Sequence, residues 1–200
     1  FEQEDATNWP GTSRLDDDQT GSTSRFGESL DIHDDLIVVG IPADNPAGNG
    51  SGSAKIFRYS PTSEFWILEH QLLGLNVRAA DRYGDDVTVG PHGVGVGVVQ
   101  YDTPYGSDPG AAFTYRKMSW DDDNWQHDIR EIRPCRTARQ LIENPVSNGN
   151  LASFGRDVAM DGNTAIIGDP FAENDLGEAA GTVAFLTTKS PNDNWVALSP

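Results

Sequence analysis

Clusters of acidic residues are the first places in this chain where residue type and spacing could support chemistry. Residues 121–123 are three consecutive aspartates, and residues 16–18 are three more within a Ser/Thr/Gly-rich stretch. Adjacent carboxylates can bind a cation, but Asp is equally typical of tight turns. We interpret the first run as a hairpin tip and the second as a polar connector, and we treat Glu173 and Asp175 as surface residues in the same way.

A glycine-rich segment at residues 48–52, Gly-Asn-Gly-Ser-Gly, has the composition of a phosphate-binding loop. Such a loop leads into a helix whose N-terminal amides point at the anion, whereas the residues after Gly52 are typical of a strand. We therefore expect a flexible surface loop. It contains the chain's only N-glycosylation sequon, which makes Asn49 the candidate glycosylation site if the chain follows a eukaryotic secretory route.

Histidine and cysteine do not form a recognisable site. The sole cysteine, Cys135, lacks the sequence context of a nucleophile and cannot form a disulfide within the chain. The histidines lack metal-ligand spacing; they are His33, His70, His92 and His127. We predict no catalytic, cofactor-binding or metal-binding residues, and hence a protein that is not an enzyme.

The composition favours an all-β protein with an acidic surface. The 21 glycines and 12 prolines interrupt the 200 residues too often for long helices. The formal net charge of −17 disfavours nucleic acid and anionic lipid as partners. No apolar run approaches the roughly 20 residues that span a bilayer, so we expect no membrane insertion. The chain starts at Phe1 without a methionine, and we expect a processed chain or part of a longer one.

A repeat of roughly 60 residues positions these segments. Each copy opens with an aromatic residue followed by glycine, has another glycine at a constant interval from the aromatic, carries a later phenylalanine and ends near a tryptophan. The opening aromatics are Phe26, Tyr83 and Phe154; the glycines are Gly40, Gly97 and Gly168; the later phenylalanines are Phe57, Phe113 and Phe185; the tryptophans are Trp66, Trp125 and Trp195. We expect the aromatics to pack between neighbouring repeats.

Within the first copy, the pattern predicts four strands, at residues 26–32, 36–40, 53–59 and 65–72. Four antiparallel strands per repeat form a β-propeller blade. We expect residues 1–24 to end a preceding blade and to connect it, followed by blades at 25–81, 82–153 and 154–200. The middle blade is the least regular and carries an insertion at 134–153.

An aromatic-Gly pair, a short strand, a tight turn, an apolar strand and Gly-x-Pro together resemble the FG-GAP repeat of integrin α-like propellers. Residues 25–42 and 154–170 match this pattern well, and the middle copy, with Gly97-Val98-Val99, matches in part. The resemblance implies a toroidal propeller outside the cell. Some members bind calcium in an acidic loop between the first two strands, but here the equivalent turns have too few carboxylates, so we do not expect that site.

On this basis we expect an extracellular interaction module, secreted or at the cell surface, that binds a protein or glycan partner in adhesion or surface recognition. The alternative is a structural subunit of an extracellular filament, sheath or matrix that assembles through blade-to-blade contacts with further copies of itself. Three blades do not close a ring. We expect either a segment of a longer propeller or completion by neighbouring copies.

Overall fold

A computed structural model describes residues 15–16, 21, 23–91, 93–102, 109–115, 130–132, 153–172, 180–187 and 196–197. These residues form three antiparallel sheets of four strands each, with neighbours paired in chain order. None of the described residues is helical, and hence none forms a helix that could cross a membrane. The protein is all-β, built from blade-like sheets of the β-propeller type.

Each sheet contains four consecutive strands and is called a blade below. Blade 1 consists of β1 Ser29–His33, β2 Leu36–Ile41, β3 Ser53–Ser60 and β4 Phe65–Leu72. Blade 2 consists of β5 Tyr83–Gly90, β6 Gly93–Val98, β7 Ala111–Tyr115 and β8 Arg130–Ile132. Blade 3 consists of β9 Val158–Asp161, β10 Thr164–Asp169, β11 Thr182–Thr187 and β12 Val196–Ala197.

The first hairpin of blade 1 is closed by a two-residue turn. His33 pairs with Leu36, and the turn residue Asp34 has a φ of 52°. In blade 3, Gly162 occupies the matching turn with a φ of 53°. Asp and Gly tolerate this left-handed conformation, which a tight hairpin needs to match the twist of its strands. The predicted turn positions in these two blades are therefore confirmed.

In blades 1 and 3, the opening aromatic-Gly pair is a turn rather than the start of a strand. We expected the first strand of blade 1 to begin at Phe26, but β1 begins at Ser29. In blade 2 the strand β5 includes Tyr83, yet its pairing with β6 shifts register between Tyr83 and Val87. The pair thus leads the chain into blades 1 and 3 without extending their sheets, whereas in blade 2 it lies at the irregular start of β5.

The prediction that Phe57, Phe113 and Phe185 are equivalent is wrong. Phe57 pairs with Ile37, Phe113 with Val96 and Phe185 with Ile166. Counted from the opening aromatic of each blade, the partners of Phe57, Phe113 and Phe185 lie at positions 11, 13 and 12. The partner of Phe185 therefore lies on the opposite face of its strand from the other two. Because side chains alternate between the two faces of a strand, this offset leaves Phe185 exposed, whereas the other two rings are buried. The loops before the third strands differ in length, so similar spacing did not preserve register.

The core lies mainly between neighbouring blades. One cluster of buried side chains combines β2 and β3 with β5, β6 and β7, and a second combines Ala112 of blade 2 with blade 3. Tyr83 packs against Phe113 with ring centroids 5.6 Å apart, and the Tyr83 and Tyr115 hydroxyls form a buried hydrogen bond of 2.5 Å. Burial raises the pKa of both phenols, so both stay protonated.

Several predictions fall outside the described residues or are untested by them. The run at 121–123, Glu173, Asp175 and Cys135 lie in the part of the chain that the structure does not describe. The same is true of the insertion at 134–153, apart from Ser153. The four domain intervals stay predictions, including the preceding blade at 1–24.

Candidate functional site

The aromatic-Gly turn has the same backbone geometry in all three blades. Gly27, Gly84 and Gly155 have φ values of 87°, 87° and 86°. The Gly27 N–H donates to the carbonyl of Gly40 at 3.2 Å, and the Gly155 N–H donates to the carbonyl of Gly168 at 3.1 Å. Glycine is favoured here because other residues are strained at such φ values. The turn is therefore tied to the second strand of its own blade.

The glycine that recurs in the second strand lets the next blade approach closely. A Cβ added to Gly40 would overlap the carbonyl oxygen of Gly84, and one added to Gly97 would overlap that of Gly155. At each of the two internal junctions, the second strand of one blade thus accommodates the aromatic-Gly turn of the next. This contact explains why the two glycine positions recur together in the sequence.

A third recurrent glycine completes the junction and was missed by the sequence reasoning. Gly52 forms a parallel bridge to Tyr83, and Gly110 forms the same bridge to Phe154. Their φ values are 82° and 77°, and Gly181 of blade 3 matches them at 77°. The signal was present as a glycine at nearly the same interval from each opening aromatic. It was hidden because each glycine lies at the end of a variable loop.

Polar side chains connect the first strands of adjacent blades. One Asp31 carboxylate oxygen accepts from the Thr88 hydroxyl at 3.0 Å and from the Val89 N–H at 2.8 Å. At the next junction, the Asp86 carboxylate accepts from the Val158 N–H at 2.6 Å. Desolvation raises the pKa of Asp86, and the hydrogen bond from Val158 opposes that shift. These carboxylates therefore hold blades together.

A cleft of about 250 Å³, called the junction cleft below, opens where loops of blades 1 and 2 meet. Its walls come from the start of blade 1, from the loop between β2 and β3, and from the segments flanking β5 and β6. The lining residues are Arg25, Pro42, Ala43, Asn49, Gly50, Ala80, Arg82 and Gln100.

Two arginines at repeat-equivalent positions line the junction cleft. Arg25 and Arg82 each precede an opening aromatic, and their φ values are 61° and 62°. Arg25 forms an exposed ion pair with Glu28 at 3.1 Å, and Arg82 bonds the largely buried carboxylate of Asp85. Guanidinium groups recognise carboxylates and sulfates through paired N–H donors. The junction cleft thus places two such donors together on a chain with a net charge of −17.

The glycine-rich loop forms one wall of the junction cleft. The Ala80 N–H donates to the Asn49 carbonyl at 2.9 Å, and the Arg82 N–H donates to the Gly50 carbonyl at 3.1 Å. Within the loop, the Ala47 N–H donates to the hydroxyl of buried Ser51 at 3.0 Å. We expected a flexible loop, but these bonds tie it to the chain entering blade 2. Strand β3 follows it directly, as expected, so it is not a phosphate-binding loop.

With this geometry in place, comparison with known families identifies the repeat. Residues 9–57 match the model described as FG-GAP repeat. The chain carries an FG-GAP repeat. A search of curated proteins finds no match to the chain. The matched stretch runs through the aromatic-Gly turn, β1 and β2 and ends in β3, and the later FG-GAP-like copies reproduce its turn geometry.

Of the remaining predicted positions, those that the structure describes do not line the junction cleft. His33 lies 3.5 Å from Asp34 beside the first hairpin, and His70 lies in β4. Trp66 is half-buried beside Tyr59, with ring centroids 5.5 Å apart, on the outer strands of the FG-GAP blade. Within the described ranges, no three His, Cys, Asp or Glu side chains are grouped so as to hold a metal ion.

Proposed function

We propose that this protein is an extracellular recognition module whose junction cleft binds an acidic group on a protein or glycan partner, in adhesion or surface recognition. The observation that carries the proposal is the pair of arginines, Arg25 and Arg82, which adjacent blades bring to one cleft. The proposal involves no catalytic step, cofactor or metal. FG-GAP repeats are common in extracellular proteins, which supports a secreted or surface location.

The volume of the junction cleft limits the size of the ligand group that it can bind. A volume of about 250 Å³ is below the range of roughly 300–1,000 Å³ that suits drug-sized ligands. It suits one carboxylate or sulfate group with its adjoining carbons. The rest of the partner would lie across the surrounding loops, where propeller scaffolds commonly place binding residues.

Charge also favours an anionic group at this place. Elsewhere the acidic surface repels anions, so a ligand group that pairs with arginine gains most where two guanidinium groups are close. Arg25 is the better anchor of the two, because its partner Glu28 is exposed. Water can hydrate the Glu28 carboxylate when Arg25 pairs with a ligand instead. Arg82 is held more firmly, since the Asp85 side chain is largely buried.

The test measures binding of the purified chain to immobilised carboxylated glycans, sulfated glycans and acidic peptides. One charge-assisted hydrogen bond contributes about 1.5–3 kcal/mol to the free energy of binding, so its loss in Arg25→Ala should weaken binding about tenfold or more. Arg78→Ala is the matched control: Arg78 is also an exposed arginine in a surface ion pair, 3.9 Å from Asp102, but it does not line the junction cleft. Equal losses in both variants, or no binding to any probe, would contradict the proposal.

Glycosylation of Asn49 would compete with ligand binding, because Asn49 is exposed and lines the junction cleft. We expect the chain secreted from eukaryotic cells to carry one glycan and Asn49→Gln to lack it, as measured by intact mass before and after deglycosylation. The control is Asn45→Gln, since Asn45 lies in the same loop without a sequon. If the glycan is present, its removal should strengthen binding of the acidic probes. A mass difference between the parent chain and Asn49→Gln that equals the one methylene added by the substitution would exclude this glycan.

A second candidate function is a structural subunit that assembles with further copies of itself into a filament, sheath or matrix. The observation that favours it is the exposure of large apolar side chains on the outer faces of blades 1 and 3, including Leu30, Ile32 and Phe185. Polymers that persist on dilution to low protein concentration would support this function. A chain that is monomeric even when concentrated would rule it out.

A further inference from the structure

The outer face of blade 1 is the uncovered counterpart of a face that is buried in blades 2 and 3. Leu30 is the fourth residue after its opening aromatic and is 66% exposed, whereas the equivalent residues Val87 and Val158 are buried. Ile32, two residues later, is 55% exposed, whereas its equivalent Val89 is buried. The faces of blades 2 and 3 are covered by the preceding blade, whereas none of the described sheets covers that of blade 1.

The outer face of blade 3 lies on the opposite side of the sheet, the side that receives the following blade in blades 1 and 2. Val183 and Phe185 of β11 are 52% and 51% exposed, whereas the register-equivalent residues of β3, Ala54 and Ile56, are fully buried by blade 2. Ile166 of β10 is likewise exposed. This face corresponds to the side of blades 1 and 2 that receives the following blade.

The docking position for an aromatic-Gly turn is also open in blade 3. Added Cβ atoms on Gly40 and Gly97 would overlap the next blade, but one on Gly168 would come no closer than 3.5 Å to any heavy atom, namely the Cβ of its own blade's Asp157. Asp157 itself is exposed, although Asp86 at the equivalent place bonds the next blade. Blade 1 offers the matching turn, because Gly27 is exposed with no atom near its added Cβ.

We propose that the outer face of blade 3 receives blade 1 of a second copy of this chain, in a head-to-tail junction of the same design as the two internal junctions. The inference deepens the second candidate function and rests on it. In this junction Gly168 and Gly181 of one copy contact the Phe26-Gly27 turn of the other. The Asp157 carboxylate then accepts from the Leu30 N–H of the other copy, as Asp86 accepts from Val158.

A second copy is the occupant that the residues favour, because one chain carries both halves of the junction. The shapes also agree. At the blade 1 face a groove of about 400 Å³ is lined by Leu15, Phe26, Leu30, Ile32, Ile37 and Val39. The blade 3 face presents Val183 and Phe185, which are larger than the equivalent Ala54 and Ile56 and would fill that groove. Such a heterologous contact closes into a ring or continues as a filament, depending on the angle between copies.

The test is the molar mass of the intact 200-residue chain by light scattering and sedimentation, from about 1 to 100 µM. The parent chain should form species at multiples of 21.7 kDa. Gly168→Ala should weaken association at least about tenfold, because the new Cβ would overlap the incoming glycine carbonyl. The matched control is Gly90→Ala, whose Cβ would also meet its nearest atom at 3.5 Å but lies at an internal junction, and it should associate like the parent.

Complementation separates this junction from any other mode of assembly. Ile32→Asp damages the blade 1 face and leaves the blade 3 face intact, so it should be monomeric alone; Leu30→Asp replaces it if it misfolds. An equimolar mixture with Gly168→Ala should form pairs, because each pair has one intact junction. A monomeric parent chain would overturn both this inference and the structural function. Oligomers that resist Gly168→Ala, or variants that fail to pair on mixing, would overturn this junction alone.

Discussion

Blades 2 and 3 contain the same repeat in two different surroundings. In blade 2, every residue of β6 and β7 is buried. In blade 3, the equivalent strands β10 and β11 alternate between buried and more exposed residues. Because successive side chains of a strand point to opposite faces, alternation marks a sheet covered on one side and continuous burial marks one covered on both.

This difference shows that the burial of these strands depends on whether neighbouring blades cover the sheet. Strand β6 reads Gly-Val-Gly-Val-Gly-Val, in which valines face one neighbour and glycines allow blade 3 to come close on the other side. Strand β10 keeps the glycine at the equivalent place, Gly168, but among the described residues only Asp157 of the same blade lies against it. On the face that receives the next blade, a substitution should therefore have a large effect in blade 2 and a small one at the equivalent position in blade 3.

The largest contrast is expected for the repeat glycines. Gly97→Ala should lower the free energy of unfolding by about 3 kcal/mol, because its Cβ would overlap backbone of blade 3. Gly168→Ala should change it by less than about 0.5 kcal/mol when measured on dilute monomer. Urea unfolding of both variants tests this. Equal losses would mean that the internal junction does not depend on the close approach.

A smaller contrast is expected for the apolar side chains. Val96→Ala removes a fully buried side chain from the shared core and should cost about 2 kcal/mol. Ile166→Ala, on the uncovered face of the equivalent strand in blade 3, should cost less than about 1 kcal/mol because Ile166 is exposed. Thermal unfolding of dilute protein measures both. A larger loss for Ile166→Ala would show that this face is already covered in solution.

The smallest expected effect concerns pH. The pKa of Asp86 is raised in the folded chain above the 3.8 of the unfolded chain, so the folded state holds more protons between those two values. Stability therefore falls as pH rises through that window, and this loss is complete above it. Asp86→Asn keeps an acceptor for the Val158 N–H and removes this part of the pH dependence. The free energy of unfolding of Asp86→Asn should therefore rise relative to that of the parent chain as pH rises from about 4.

Unfolding measured from about pH 4 to 7 checks this shift, with Asp161→Asn as the control, since Asp161 is an exposed aspartate of blade 3. Burial also raises the pKa of Asp169. Asp169 is present in both variants, so the free energy of unfolding of each should still fall as pH rises. If the difference in free energy of unfolding between Asp86→Asn and the parent chain is constant across this range, the pH dependence does not come from Asp86.

Much of the repeat could be predicted from local chemistry. The aromatic-Gly pair and the glycine of the second strand identified the repeat, because each has a backbone requirement that few other residues satisfy. The turns at Asp34 and Gly162 were predictable for the same reason. The later phenylalanines were not, because a ring can occupy either face of a strand, and only register decides between them.

The candidate site was less accessible to sequence reasoning. Asn49 could be found from its sequon, but its neighbours in the junction cleft, Arg25 and Arg82, belong to different repeats and are far apart in sequence. Their proximity follows from the docking of one blade on the next. The recurrence of glycine at 52 and 110 escaped notice because each lies at the end of a variable loop.

The sequence by itself therefore determined the all-β class, the repeat and the backbone turns, since these depend on period-2 patterning and on the allowed φ of single residues. Only the tertiary structure decided which face of each strand is covered, which phenylalanines are buried and which arginines meet. Those properties depend on strand register and on the packing of one blade against the next, and contacts between residues distant in sequence leave no local signal in the chain.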